Sequence, residues 1–114
     1  MVCVEDYTRQ RSAAQIGVRA NGDLYNRPNS STPTNLVVWS RGASDPATYA
    51  SLSTFKAATG QEAAGQQLTG TGLVDGDGQL LTALSTSAVP PLPASVAAAI
   101  GFPAGSRHVG AFPH

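Results

Sequence analysis

Cysteine, charge and long hydrophobic runs are all scarce in this sequence of 114 residues. Its one cysteine, Cys3, has no partner for an intrachain disulfide, so a disulfide framework is excluded. Cys3 lies between two valines, and a free thiol usually behaves as a small apolar residue. We therefore predict that Cys3 is a buried residue of a strand.

Charged residues make up 12% of the sequence, where an ordinary globular chain has roughly 25%. The seven basic and seven acidic side chains give a formal net charge of zero, and the arginines are interleaved with acidic residues. Proteins that bind nucleic acids usually concentrate Lys and Arg on one face. The sequence therefore predicts no nucleic-acid partner.

No run approaches the roughly 18 consecutive apolar residues that indicate a transmembrane helix, so no membrane span is predicted. No apolar segment of the signal-peptide type follows Met1 either. The length fits a single domain, because domains usually run from about 50 to 250 residues. We treat 1–114 as one unit with three zones, which are strands and turns at 1–41, a helix at 45–60 and a less regular part at 70–114.

The first zone contains three short β-like runs separated by turn-forming residues, and the runs are Met1 to Val4, Ala13 to Arg19 and Leu36 to Ser40. The alternation of the third run puts Val37 and Trp39 on the same face, as a strand requires. The sequence therefore predicts strands with turns between them.

The second zone, 45–60, has the start and stop signals of a helix. Asp45 is a candidate N-cap, with Pro46 at the first helical position and Thr48 as an alternative cap. Gly60 can adopt the left-handed conformation that ends a helix. We therefore predict a helix of about three turns that ends at Gly60.

Tyr49, Leu52 and Phe55 share one stripe of this predicted helix, because residues three and four apart lie on the same face. A short helix with so narrow an apolar face is not stable alone. We predict that it packs on the strand that carries Trp39.

The third zone is the least periodic. Asp75 to Gly78 predicts a turn before Leu80, and the prolines of 88–93 predict an extended segment. Ala94 to Ile100 predicts a short helix closed by Gly101, and 109–113 predicts a final extended piece.

Residues with catalytic or metal-binding chemistry are few. Asp75 and Asp77 are two residues apart, but a calcium ion needs six to eight oxygen ligands, so we predict an ordinary turn and no metal site. His108 has no positioned partner for acid–base work. Glu5 and Asp6 are adjacent and point to opposite faces in a strand, which does not suit a glycosidase pair. The sequence identifies no catalytic residue and no cofactor.

Several stretches in order resemble the carboxy-terminal end of secreted right-handed parallel β-helix proteins of the pectate-lyase-like superfamily. They are Asn21-Gly22-Asp23-Leu24-Tyr25, Leu36-Val37-Val38-Trp39, the segment YASLSTFKAATGQEAAG at 49–65, the pieces at 72–75 and 78–81, and 108–112. The resemblance implies a mainly β fold, the end coils of a right-handed parallel β-helix with one or two short helices packed against it. His108 departs from the pattern, which usually has an acidic residue there.

This resemblance implies a C-terminal cap of a longer, secreted or cell-surface protein. Terminal coils of repeat proteins are atypical because they cover the last exposed edge. The parent would be a polysaccharide lyase or a glycoside hydrolase whose active site lies on coils outside this sequence, so the chain is not expected to be catalytic by itself. The alternatives are the cap of a non-catalytic β-helix adhesin or phage-tail-like receptor-binding protein, and a free-standing small β-rich domain.

A polysaccharide is the predicted partner, and the candidate contacts are Arg27, Trp39 and Arg41. The two arginines flank loops and are suited to an anionic sugar, although a solvated loop arginine is the ordinary alternative. Trp39 belongs to a set of aromatic residues that includes Tyr25, Tyr49 and Phe55. This set is either a platform for sugar stacking or the packing contact between the helix and its neighbouring strand.

Overall fold

The computed structural model describes residues 1–72, 75–76 and 89–107. These residues form five short strands and two helices. In chain order they are β1 (Val2–Val4), β2 (Leu24–Arg27), β3 (Val37–Ser40), β4 (Pro46–Tyr49), α1 (Leu52–Thr59), β5 (Gln66–Thr69) and α2 (Ala94–Ile100).

The strands form two small sheets. In the three-stranded sheet, of order β1-β3-β4, β1 is parallel to β3 and places Val2 opposite Val37. Strand β4 is antiparallel to β3 and places Tyr49 opposite the same valine. The other sheet pairs β2 with β5 in parallel, with Leu24 opposite Gln66.

The predicted parallel β-helix is wrong for this chain, because the two small sheets are neither closed nor curled into coils. The reason lies at residues 41–45, where a short turn sends the chain back along β3 as an antiparallel hairpin. A short connection permits only that pairing, whereas a parallel neighbour needs a crossover of a dozen or more residues. The Arg41 N–H donates to the Asp45 carbonyl at 2.9 Å and closes this turn.

The predicted start of the central helix is also wrong. Pro46 begins strand β4, which lies at the sheet edge where proline is tolerated. Helix α1 begins at Leu52 instead, because Ser51 is its N-cap and forms a reciprocal capping box with Thr54. The predicted end is confirmed, since Gly60 adopts a left-handed φ of 68° and donates its N–H to the Lys56 carbonyl.

The strand predictions for β1 and β3 are confirmed, and so is helix α2, which Gly101 ends at a φ of 76°. The predicted strand at 13–19 is wrong, because residues 13–17 form turns. The Ser12 N–H donates to the Gln15 side chain at 2.8 Å, and the Ser12 hydroxyl accepts the Gln15 N–H at 3.2 Å. Such local side-chain bonds compete with strand formation. The predictions for Asp77, 78–81, His108 and 109–113 lie outside the described residues.

Phe55 is the centre of the core and is completely buried. Its ring lies 5.1 Å from that of Trp39 on β3 and 5.3 Å from that of Tyr49 on β4, measured between centroids. The predicted packing of the helix on the Trp39 strand is therefore confirmed. The rest of this cluster is Ala13, Tyr25, Leu36, Val37 and Leu52.

Cys3 lies in β1 as predicted, but its predicted burial is wrong. Cys3 lies opposite Val38, whereas Val4 lies opposite the buried Trp39, so Cys3 is on the face of β1 that points away from the core. Within the described ranges, neither helix has the length and apolar character needed to cross a membrane.

Candidate functional site

A cleft of about 270 Å³ lies where the end of α1 meets β3 and β4. We call it the aromatic cleft. Its walls combine aromatic rings, hydroxyls, a guanidinium and a carboxamide, and the lining residues are Ser12, Ala14, Trp39, Ser40, Arg41, Tyr49, Ala58, Thr59 and Gln61. This mixture of one apolar surface with several hydrogen-bonding groups is typical of a small-ligand site.

The aromatic surface of the cleft comes from Trp39 and Tyr49. Trp39 is 6% exposed and meets Phe55 edge-on, so only a small part of its indole faces solvent. Tyr49 is half-buried and contributes more accessible ring surface. Because Phe55 contacts both rings, helix α1 holds the two aromatic side chains in fixed positions.

Arg41 supplies the positive charge of the cleft. Its Nη2 atom lies 2.8 Å from Oδ1 of Asp45, and both side chains are more than half exposed, at 59% and 53%. This hydrogen bond and the charge of Asp45 raise the pKa of Arg41. An exposed pair of this kind contributes only about 0–1 kcal/mol, so an anionic ligand can compete with Asp45 for the guanidinium.

Gln61 closes the cleft on the side of the helix end. Its Oε1 atom accepts the Ala20 N–H at 2.9 Å, which fixes the side chain. Its Nε2 atom makes no hydrogen bond with the described residues and carries two donors. Gln61 can therefore donate to a ligand without losing its contact with Ala20.

Arg27, the other sequence candidate, lies in the interior and not in the cleft. Its side chain is 3% exposed, and its guanidinium donates to the carbonyl oxygens of Thr32, Pro33 and Ala50. These acceptors satisfy a charge that would otherwise be costly to bury. Through these bonds Arg27 connects Thr32 and Pro33, in the loop after β2, to Ala50, which lies shortly before α1.

Sequence reasoning missed a second group of residues, centred on the fully buried Glu62. Its Oε1 atom accepts the Tyr25 hydroxyl at 2.9 Å, and its Oε2 atom accepts the Asp23 N–H at 3.1 Å. The second of these bonds places Asp23 directly against Glu62, so two acidic residues are neighbours here. Burial and then this contact with Asp23 raise the pKa of Glu62, and burial together with Glu62 raises the pKa of Tyr25.

One sequence signal points to this carboxyl group, namely Gly65. A β-carbon at Gly65 would lie 2.4 Å from Oε2 of Glu62, so the turn leaves no room for a side chain there. Asp23, by contrast, is 39 residues away from Glu62, and no local pattern connects the two.

The Asp23–Glu62 pair does not have the geometry of a glycosidase site. Glu62 is completely buried, and both of its carboxyl oxygens accept hydrogen bonds from within the protein, so it cannot face a sugar in solvent. No group of three or more His, Cys, Asp or Glu side chains suited to a metal ion occurs among residues 1–72, 75–76 and 89–107.

Comparisons of this chain with protein-family models, curated proteins and solved structures gave no match.

Proposed function

We propose that this protein is a non-catalytic binding module that holds a short acidic saccharide, of the uronate class, in the aromatic cleft. The observation that supports this proposal is the grouping of Trp39, Tyr49 and Arg41 around one cleft. A sugar ring presents an apolar C–H face that packs on an aromatic surface. A uronate also carries a carboxylate, which is the preferred partner of a guanidinium.

The size of the cleft limits the ligand. Its volume of about 270 Å³ is close to the lower end, roughly 300 Å³, of the range for small-molecule pockets. It therefore suits one or two sugar units, with any longer chain continuing into solvent. The role as a cap of a secreted polysaccharide-acting protein, and its adhesin alternative, remain predictions on which this proposal does not depend.

The proposal is tested by titrating the protein with a uronic-acid disaccharide and with the neutral disaccharide of the same linkage. Trp39 is the one tryptophan of the sequence, so its fluorescence reports on the cleft directly, and calorimetry gives the affinity. We expect saturable binding of the acidic sugar, weaker binding of the neutral one, and a loss of the difference as salt screens Arg41.

Two substitutions at the edge of the cleft should have opposite effects. Arg41→Ala removes a charged hydrogen bond of about 1.5–3 kcal/mol, so the acidic disaccharide should bind at least about tenfold more weakly. Asp45→Asn removes the carboxylate that competes for Arg41, so the same ligand should bind up to about fivefold more tightly.

Arg19→Ala is the matched control, because Arg19 is an exposed arginine that does not line the cleft. It should leave the affinity unchanged. Equal binding of the acidic and neutral sugars, or no binding of either at millimolar concentration, would overturn the proposal.

A further inference from the structure

The turn at 61–65 is fastened to the segment at 20–25 by hydrogen bonds that run in both directions. The Glu62 N–H donates to the Ala20 carbonyl at 2.7 Å, and the Ala64 N–H donates to the Asn21 side chain at 2.8 Å. The contact between Ala20 and Gln61 completes the connection. We call these two segments the clasp, and the Glu62 carboxyl lies inside it.

The groups that face Glu62 are polar or acidic. The side of β2 contributes Asp23, whose backbone N–H donates to Glu62, and the Tyr25 hydroxyl. Helix α1 contributes the cation Lys56, but its ammonium donates to the carbonyls of Gly65, at 2.6 Å, and of Ala63, at 3.5 Å. No cation among the described residues is therefore bonded to the Glu62 carboxyl, and the adjacent Asp23 is also acidic.

We propose that the Asp23–Glu62 pair is a pH-sensitive latch that closes the clasp when Glu62 is neutral and loosens it when Glu62 is ionised. A neutral Glu62 donates its proton to a hydrogen bond with the Asp23 carboxylate while its oxygens still accept from Tyr25 and from the Asp23 N–H. When the proton leaves for solvent, two neighbouring acidic side chains are both negative, and the one of Glu62 is buried. Their repulsion then acts across the clasp.

The direction follows from the raised pKa of Glu62. A carboxyl whose pKa is higher in the folded state than in the unfolded state stabilises the fold below the unfolded value, which is about 4.3. That stabilisation is lost as the pH rises through the folded pKa. The latch therefore opens on going from acidic toward neutral and basic pH, which is opposite to ordinary acid unfolding.

The latch also regulates the aromatic cleft, and this part rests on the proposed function. Gln61 lines the cleft and is the residue before Glu62, so a loosened clasp releases one wall of the site. Ligand affinity should then fall as Glu62 ionises, by about fivefold or more if the coupling has the usual size.

The latch is tested by NMR on the full chain between about pH 4 and pH 9, a range that spans ordinary and raised carboxyl pKa values. The ¹³C shift of the Glu62 side-chain carboxyl gives its titration, and amide exchange of Glu62, Ala64 and Gly65 reports clasp opening. After correction for intrinsic exchange, the protection of these amides should fall across the transition. The expected fall is about tenfold for each unit by which the folded pKa of Glu62 exceeds its unfolded pKa. Glu62→Gln, which keeps the shape and cannot ionise, should abolish this fall.

Glu5→Gln is the control, because Glu5 is exposed and outside the clasp, and it should behave as wild type. Asp23→Asn covers the case in which Glu62→Gln does not fold. This substitution removes the acidic group of Asp23, which is an exposed residue. The midpoint of the Glu62 titration should therefore move to lower pH. Unchanged protection across the range in wild type, or an unchanged midpoint in Asp23→Asn, would overturn the latch.

Disaccharide titrations at both ends of the transition separate the two proposals. If the disaccharide does not bind at any pH, the proposed function is refuted, and the NMR experiment alone decides whether the latch exists. Binding that is equally pH-dependent in wild type and in Glu62→Gln refutes the coupling alone.

Discussion

Truncation of Phe55 to alanine should remove the contact on which the fold and the cleft both depend. Phe55 is completely buried, and its ring meets Trp39 at 5.1 Å and Tyr49 at 5.3 Å. Truncation of a buried phenylalanine costs about 3–5 kcal/mol, and each aromatic pair adds about 0.5–1.5 kcal/mol beyond the buried area. We therefore expect a loss of about 4–5 kcal/mol, a large fraction of the roughly 5–15 kcal/mol of a typical domain.

Urea unfolding followed by far-ultraviolet circular dichroism measures this loss, with the fluorescence of Trp39 as a second probe. Ile16→Ala is the control, because Ile16 is 40% exposed and lies in a turn. Its free energy of unfolding should change by less than about 0.5 kcal/mol. If Phe55→Ala lowers the free energy of unfolding by less than about 1 kcal/mol, the helix is not docked on the sheet through this ring.

Two further predictions concern buried charge and pH. Arg27→Lys should lower the free energy of unfolding by about 1–3 kcal/mol, because an ammonium cannot reproduce the fork that serves three carbonyl groups; an unchanged urea midpoint would contradict this role. Bonds from the Thr8 side chain and backbone, and then from later backbone amides, lower the pKa of Asp6 to about 2. The stabilisation from Asp6 is therefore present above the unfolded pKa and lost as the pH falls from about 4 toward 2, and Asp6→Asn should flatten that part of the stability curve. Coincident wild-type and variant curves in this acid range would refute it.

Features with a local cause were predictable from the sequence. Gly60 and Gly101 end their helices because glycine adopts the left-handed conformation readily, and Val37 and Trp39 share the buried face of β3 because strands alternate. The start of α1 was not predictable from the Asp45-Pro46 signal. Proline suits the first residue of a strand as well as the first turn of a helix, and pairing with β3 selects the strand.

The prediction of the overall fold was wrong because it assumed the wrong pairing of the strands. The order of short motifs suggested stacked coils, but the sheet partners are decided by the tight turn at 41–45, which produces an antiparallel hairpin. Arg27 shows a similar limit, since a residue that flanks a loop is usually exposed, while distant carbonyl acceptors allow it to be buried.

The candidate site was predictable only in part. Trp39 and Arg41 are two residues apart, so an extended chain brings them to one side, and both line the cleft. Gln61 and the Asp23–Glu62 pair depend on contacts across about forty residues of sequence, which residue types alone do not encode.

The most direct test of the proposed binding site is a ¹H–¹⁵N NMR titration of the protein with the uronic-acid disaccharide. The resonances that shift in proportion to occupancy should be the Trp39 indole N–H, the Gln61 side-chain amide and the backbone amide of Arg41. Resonances of β1, at the far edge of the sheet, should stay in place. Shifts that cluster away from the aromatic cleft, or no shifts at millimolar sugar, would contradict the account.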